Sequence, residues 1–157
     1  LTGVLNKRTT EQRCRTLLEN TPGEKPFALL LLDVDNFKQT NDRYGHPKGD
    51  AVLRCLGENL SGLFRRDDVV GRVGGDEFLM MMPGAGGEQA VGRAQKIAQE
   101  MCRSVSVQCG VDISGSIGVV LSKPGACAYE ELLRRADSAL YAAKAAGKGC
   151  YRVYGGA

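Results

Sequence analysis

The sequence contains no apolar stretch approaching the roughly 18 residues of a membrane span, which excludes a helix through a bilayer within these residues. Its opening has none of the features of a signal peptide. A net charge of +3 is too slight to point to a nucleic-acid surface, so no polymeric nucleic acid is expected as a partner. The six cysteines (Cys14, Cys55, Cys102, Cys109, Cys127 and Cys150) include no Cys-x-x-Cys pair. Their scattered spacing argues against structural zinc and against a disulfide framework, and buried reduced thiols in a cytoplasmic domain are the expectation. Internal repeats, low-complexity segments, linkers and a Walker-type phosphate loop are also missing. What remains is an ordinary globular composition in 157 residues, enough for one core and too few for two. The chain opens at Leu1-Thr2-Gly3 without a methionine, and residues 1–157 read as a single domain cut from a longer protein.

Taken in order, Thr9-Thr10-Glu11-Gln12 has the spacing of a capping box and predicts a helix to about Asn20, ended by Thr21-Pro22-Gly23. Phe27 to Leu32 is continuously apolar and reads as a buried central strand. Asn36 to Tyr44 predicts a short helix, and Pro47 suits the first turn of a second one. Val52, Leu53, Leu56, Leu60 and Leu63 recur at helical spacing along it, to about Phe64. Two strands of a hairpin follow, Asp68 to Gly71 and Leu79 to Met82. A helix from Glu88 to Cys102 comes next, then two strand-like runs, Val105 to Cys109 and Val111 to Leu121, around Gly110. Tyr129 to Ala146 is the best-patterned helix, Gly147 stops it, and Cys150 to Tyr154 closes with a short strand. Helices gathered on a mainly antiparallel central sheet make an α+β fold.

The chemistry concentrates at two acidic stations. Arg72-Val73-Gly74-Gly75-Asp76-Glu77-Phe78 places two acids at a hairpin tip, where paired glycines can take the positive φ of a tight turn. Neighbouring strand residues point to opposite faces, so Asp76 and Glu77 need not share one task. Asp33-Val34-Asp35 lies at the end of the apolar strand, where acids are costly unless solvated, paired or bound to a cation. Hard oxygen ligands on adjacent strands suit Mg²⁺ together with substrate phosphates.

Several blocks in order then resemble the GGDEF domain of diguanylate cyclases over essentially the whole chain. They are Leu1 to Arg8, Asp33-Val34-Asp35-Asn36-Phe37-Lys38 with Asn41-Asp42, Gly45-His46-Pro47-Lys48-Gly49-Asp50, Gly74 to Phe78, Ser116-Ile117-Gly118, and Ala136 to Lys144. The resemblance implies a nucleotide-cyclase palm with a ferredoxin-like core. It implies a reaction in which two GTP become cyclic di-GMP and two pyrophosphates, each 3′-hydroxyl attacking the opposite α-phosphorus. By the same resemblance Asp33, the Val34 carbonyl, Asp76 and Glu77 hold Mg²⁺, or Mn²⁺ in its place. Asp76, Glu77 and Lys144 are the catalytic positions, with the base left open between Asp76 and Glu77. Asn41 and Asp50 read guanine, His46 lies near the substrate, and Asn36, Phe37, Lys144 and Lys148 meet the β- and γ-phosphates.

One departure stands out. The family usually has Gly-Arg-Asn where this chain has Gly147-Lys148-Gly149. A lysine offers a point charge instead of a planar fork, which predicts weaker triphosphate binding without loss of reaction. Arg65-x-x-Asp68, followed by five residues and then Gly74, matches the family's product-inhibition site. Because one chain carries one nucleotide and the product joins two, a two-fold homodimer is expected, brought together by an upstream sensor domain. Whether the parent protein is anchored in a membrane stays open. The alternative is a silent module that binds GTP or cyclic di-GMP and regulates a neighbouring domain. Retention of Asp33, Asp76 and Glu77 favours the enzyme.

Overall fold

Eight consecutive buried residues, Phe27–Val34, form the central strand β1. An apolar run without alternation is what a strand covered on both faces requires, and helices cover both faces here. The computed structural model describes residues 4–20 and 25–155. Leu1-Thr2-Gly3 and the helix end expected at Thr21-Pro22-Gly23 lie outside these. The order is α1 Lys7–Asn20, β1, α2 Phe37–Tyr44, α3 His46–Leu63, β2 Val69–Arg72 and β3 Glu77–Pro83. Then come α4 Gly87–Lys96, a π-helical turn Ile97–Met101, α5 Cys102–Cys109, β4 Gly115–Ser122, α6 Tyr129–Ala145 and β5 Tyr151–Val153. The strands line up as β2-β3-β1-β4-β5. All neighbours are antiparallel except β5, which runs parallel to β4. This is the α+β architecture with a mainly antiparallel sheet that the sequence predicts.

The sheet divides the interior in two by its period of two residues. Ala28, Leu30, Leu32, Phe78 and Met80 pack with side chains of α3, α4 and α5, while Leu29, Leu31, Leu79 and Met81 pack with α1 and α6. The register pairs Asp33 with Glu77 across β1 and β3, which places both at the α6 side of the sheet.

Two sequence expectations need correction. The first helix starts earlier than its threonines suggest, because Asn6 caps it: the Thr9 amide donates to Asn6 Oδ1 at 2.8 Å. The segment Val105 to Cys109 is helical, not a strand. A strand would set Val105 and Val107 on one face, yet Val105 is fully buried and Val107 is 79% exposed. Ile97, Met101 and Val105 instead extend the buried stripe of α4 through the π-helical turn. Gly110 ends α5 in the left-handed conformation at φ 68°, the ordinary role of a glycine just past a helix. The strand that follows therefore begins at Gly115 and pairs with β1 instead of folding back on its predecessor.

Candidate active site

The end of β1 delivers Asp33 with only 8% exposure. The Val34 amide donates to the Asp76 carbonyl at 3.1 Å, so the backbone itself holds the hairpin tip beside Asp33. The two carboxyl groups meet. Burial, then the hydrogen bond and charge of Asp33, push Asp76 up to about 6. From α6, Lys144 forms an ion pair with Asp33 Oδ2. Burial works to lower Lys144, but the charges of Asp33, Asp35 and Asp76 outweigh it and hold the ammonium above its ordinary value.

Asp33 Oδ1 is buried and has no hydrogen-bond partner. Such an orphaned oxygen is costly unless a ligand completes it. With Asp76 beside it resisting ionisation, the donor set fits a divalent cation held by carboxylates and a backbone carbonyl. Among the described residues no three His, Cys, Asp or Glu side chains gather closely enough to hold an ion by themselves. Glu77 leans instead toward Gly74, where a Cβ would lie 2.6 Å from Glu77 Oε1. It lines a cavity of about 210 Å³ with Lys7, Glu11, Tyr129 and Asp137. Burial first, then the charges of Asp33, Asp137 and Asp76, raise its carboxyl above the ordinary range.

The hairpin glycines act differently from the sequence expectation. Neither Gly74 nor Gly75 takes a positive φ. Gly74 makes room for the Glu77 side chain, whereas a Cβ at Gly75 would meet nothing within 4 Å. The tip is clamped by Arg72, which donates to the Gly74 carbonyl at 3.2 Å and to the Gly75 carbonyl at 2.7 Å.

Asp35 belongs to the acidic station at the end of β1, but the sequence assigns it no role in the site. It is 5% exposed and accepts from Ser114 Oγ at 2.7 Å, Ser116 Oγ at 2.6 Å and the Gly149 amide at 2.9 Å. One carboxylate thus joins the end of β1, the start of β4 and the loop after α6. That loop carries Lys148, which lies beyond the end of α6 at φ 65°; four residues after Lys144, it would have sat one turn along the helix had α6 continued. Its Nζ donates to Asn36 Oδ1 at 2.7 Å. Asn36 opens α2 in the left-handed conformation, φ 53° and ψ 35°, with Phe37 next to it packed on the core. Gly149 sits at φ 62°, where an asparagine is also tolerated, so its contribution here is the backbone amide given to Asp35.

Asn41 Oδ1 is the other buried, unpartnered side-chain oxygen. It is seated on Gly49, where an added Cβ would come within 1.8 Å of it. Asp50 and His46 are exposed on the first turns of α3. The structure thus brings Asp33, Asp76, Lys144, Lys148 and Asn36 together and sets Asn41 over Gly49 on the neighbouring helices.

Arg65 and Asp68 lie at the opposite end of the hairpin. They make no side-chain ion pair; Asp68 Oδ2 accepts from the Arg65 amide at 2.8 Å. Burial raises the Asp68 carboxyl, against the pull of that bond and of the Arg93 and Arg65 charges. Arg93 of α4 was missed in the sequence. It shares a small cavity with Arg65, Asp68 and Gln89, stacks on Phe64 at 4.9 Å and donates to the Leu63 carbonyl at 2.8 Å. Nothing in its local sequence distinguishes it from other surface arginines of an amphipathic helix.

Known proteins are similar to this chain in sequence and in fold. The chain is 36% identical over 150 residues to the probable diguanylate cyclase DgcC of Escherichia coli, across 94% of this chain and 40% of DgcC. It therefore spans about 40% of the length of that relative. The crystal structure of the GGDEF domain of TpbB (YfiN) from Pseudomonas aeruginosa superposes with a TM-score of 0.86 at 34% identity, covering 98% of both chains. The GGDEF domain of DgcB from Caulobacter crescentus, solved in complex with c-di-GMP, gives 0.82 at 26% identity over 98% of this chain and 90% of that one. The family model described as "Diguanylate cyclase, GGDEF domain" matches residues 1–150, and the chain belongs to this family.

Proposed function

We propose that this domain condenses two GTP into cyclic di-GMP and two pyrophosphates. The observation that carries the reading is the Asp33–Asp76 carboxyl pair, with one buried oxygen left unpartnered and Lys144 set against it. Asp33, Asp76 and the Val34 carbonyl would hold Mg²⁺ or Mn²⁺, with Glu77 at the margin. When bound, the cation supplies Lewis-acid polarisation of the phosphates and eases ionisation of the attacking 3′-hydroxyl. Lys144, Lys148 and the opening amides of α2 at Asn36 and Phe37 hold the β- and γ-phosphates. Asn41 and Asp50 accept from the guanine edge, and His46 flanks the nucleotide. Asp76 or Glu77 takes the proton of the 3′-hydroxyl, which the bound cation has already made more acidic.

Each chain would contribute one nucleotide, so the reaction requires two copies face to face in a homodimer, under control of an upstream sensor domain. Arg65, Asp68 and Arg93 would bind product. The strand β3 links that site to the catalytic tip over about 20 Å. Dimerised protein given GTP and Mg²⁺ is expected to yield cyclic di-GMP on chromatography. GTP converted to any other product overturns the reading. Binding of cyclic di-GMP without turnover would make the domain a silent regulatory module.

Two substitutions test the subsites. Arg65→Ala is expected to raise the inhibition constant for added product by about 10- to 100-fold, the worth of lost charge-assisted hydrogen bonds, with the initial rate retained. An unchanged inhibition curve would remove Arg65 from the site. Gly49→Ala is expected to raise the KM for GTP by about 10-fold, as one buried hydrogen bond to the base is lost. The added methyl displaces the Asn41 side chain. The better helix propensity of alanine, about 1 kcal/mol, offsets the local crowding. A melting temperature near that of the parent with weakened discrimination between GTP and ATP is the signature. Unchanged discrimination would remove Asn41 as a reader.

A further inference from the structure

The cysteines of this chain are not all isolated. Cys55, in the middle of α3, and Cys109, the last residue of α5, lie side by side where the two helices pack. Cys109 Sγ reaches the Ala51 carbonyl at 3.8 Å, the carbonyl one helical turn before Cys55. Cys55 Sγ lies 3.0 Å from Oε1 of Gln108, the residue before Cys109. Lys48 Nζ donates to the Cys109 carbonyl at 2.9 Å, fixing the end of α5 against the first turns of α3. The thiols therefore meet as a held pair. Both are free and, against the expectation of buried thiols, partly exposed, as are Cys127 and Cys150, whereas Cys14 and Cys102 are buried.

We propose that Cys55 and Cys109 form a reversible disulfide through exchange with a low-molecular-weight disulfide such as oxidised glutathione. The inference is independent of the cyclase reading. Cys109 Sγ attacks one sulfur of the small disulfide and releases one small thiol, leaving a mixed disulfide on Cys109. Cys55 Sγ then attacks the Cys109 sulfur, forming the Cys55–Cys109 bond and releasing the second small thiol. Two protein thiols are oxidised, one small disulfide is reduced, and the two protons leave on its thiols. Burial, and then the Cys109 thiol beside it, push Cys55 up to about 11, so Cys55 is the slower nucleophile, and its attack draws on the proximity of the Cys109 sulfur across the helix contact. A thiolate is the attacking species, so exchange should accelerate with rising pH. The bond would tie α3, which carries Gly49 and Asp50, to the end of α5, whose continuation through Asp112 and Ser114 lines the cavity beside Asn36.

The test is to incubate the native chain with oxidised glutathione, block remaining thiols by alkylation, digest, and read the peptides by mass spectrometry. The expected product is a peptide pair joined at Cys55 and Cys109, assigned by fragment ions and undone by dithiothreitol. In Cys55→Ser, Cys109 should carry a persistent glutathione adduct instead. In Cys109→Ser, the crosslink should be lost. Recovery of both cysteines alkylated and unlinked in the wild-type chain overturns the proposal. So does a link to Cys127 or Cys150, or a link that forms only in denaturant.

Discussion

Asp76→Asn is expected to lower cyclic di-GMP formation by about 10³-fold, the scale of several kcal/mol of transition-state stabilisation. In metal-free protein above about pH 6 it should also raise the melting temperature. The two effects share one cause. Asp76 is pushed up to about 6 in the folded chain, from an ordinary value of 3.8, because it is buried and set against Asp33. Between those values the folded chain keeps a proton that the unfolded chain has released. Stability therefore falls as pH rises through this window, and the full penalty is present above about 6. Asparagine carries no charge and escapes the penalty, while near pH 4 both side chains are neutral and the gain disappears. Thermal melts in chelator at about pH 4 and about pH 8 read the difference directly. Saturating Mg²⁺ should reverse the order, since a ligand that binds only the folded state stabilises the parent. An inactive variant with no metal-free gain in stability would show that Asp76 is not held against Asp33.

What the sequence disclosed follows from which forces are local. β1 was legible because an unbroken apolar run has few other destinations. The acids at its end were legible because such groups are expensive without a partner. Val105 to Cys109 misled because five residues beside a glycine carry too little periodicity to separate a strand from the last turns of a helix. Only the fold reveals that Val107 faces solvent. The hairpin tip showed its turn but not its mechanics, since composition announces that glycine is needed without saying whether for φ or for space. The role of Asp35 stayed hidden because its three partners, Ser114, Ser116 and Gly149, are remote in the chain. Arg93 stayed hidden for the same reason, being brought to Arg65 and Asp68 by packing alone. The opening of α1 was misplaced by a nearer pair of hydroxyls, although Asn6 was the better cap.

Gly118→Ala is expected to cost about 1–3 kcal/mol of stability by overpacking, a fall of about 3–10 °C for a domain of this size, and to lower turnover sharply. Gly118 sits in β4 opposite Leu31, under α6. A Cβ there would lie 2.2 Å from the Ala136 carbonyl oxygen and 2.6 Å from the Leu140 nitrogen. Both are backbone atoms in the body of a helix, so neither can turn aside and α6 must move as a unit, by about 1 Å to restore ordinary contact. Lys144 is one turn beyond Leu140 on the same helix and moves with it, away from Asp33. Misplacement of a catalytic group on that scale can cost about 10²-fold in rate. Gly75→Ala supplies the contrast: it lies within the signature, yet a Cβ there meets nothing within 4 Å and its φ is not positive, so the melting temperature should hardly change. If Gly118→Ala melted with the parent while Gly75→Ala fell, the close approach of α6 to β4 would not be what positions Lys144. The expected order instead assigns the seating of Lys144 to a glycine of β4, far in sequence from the acids at the ends of β1 and the hairpin.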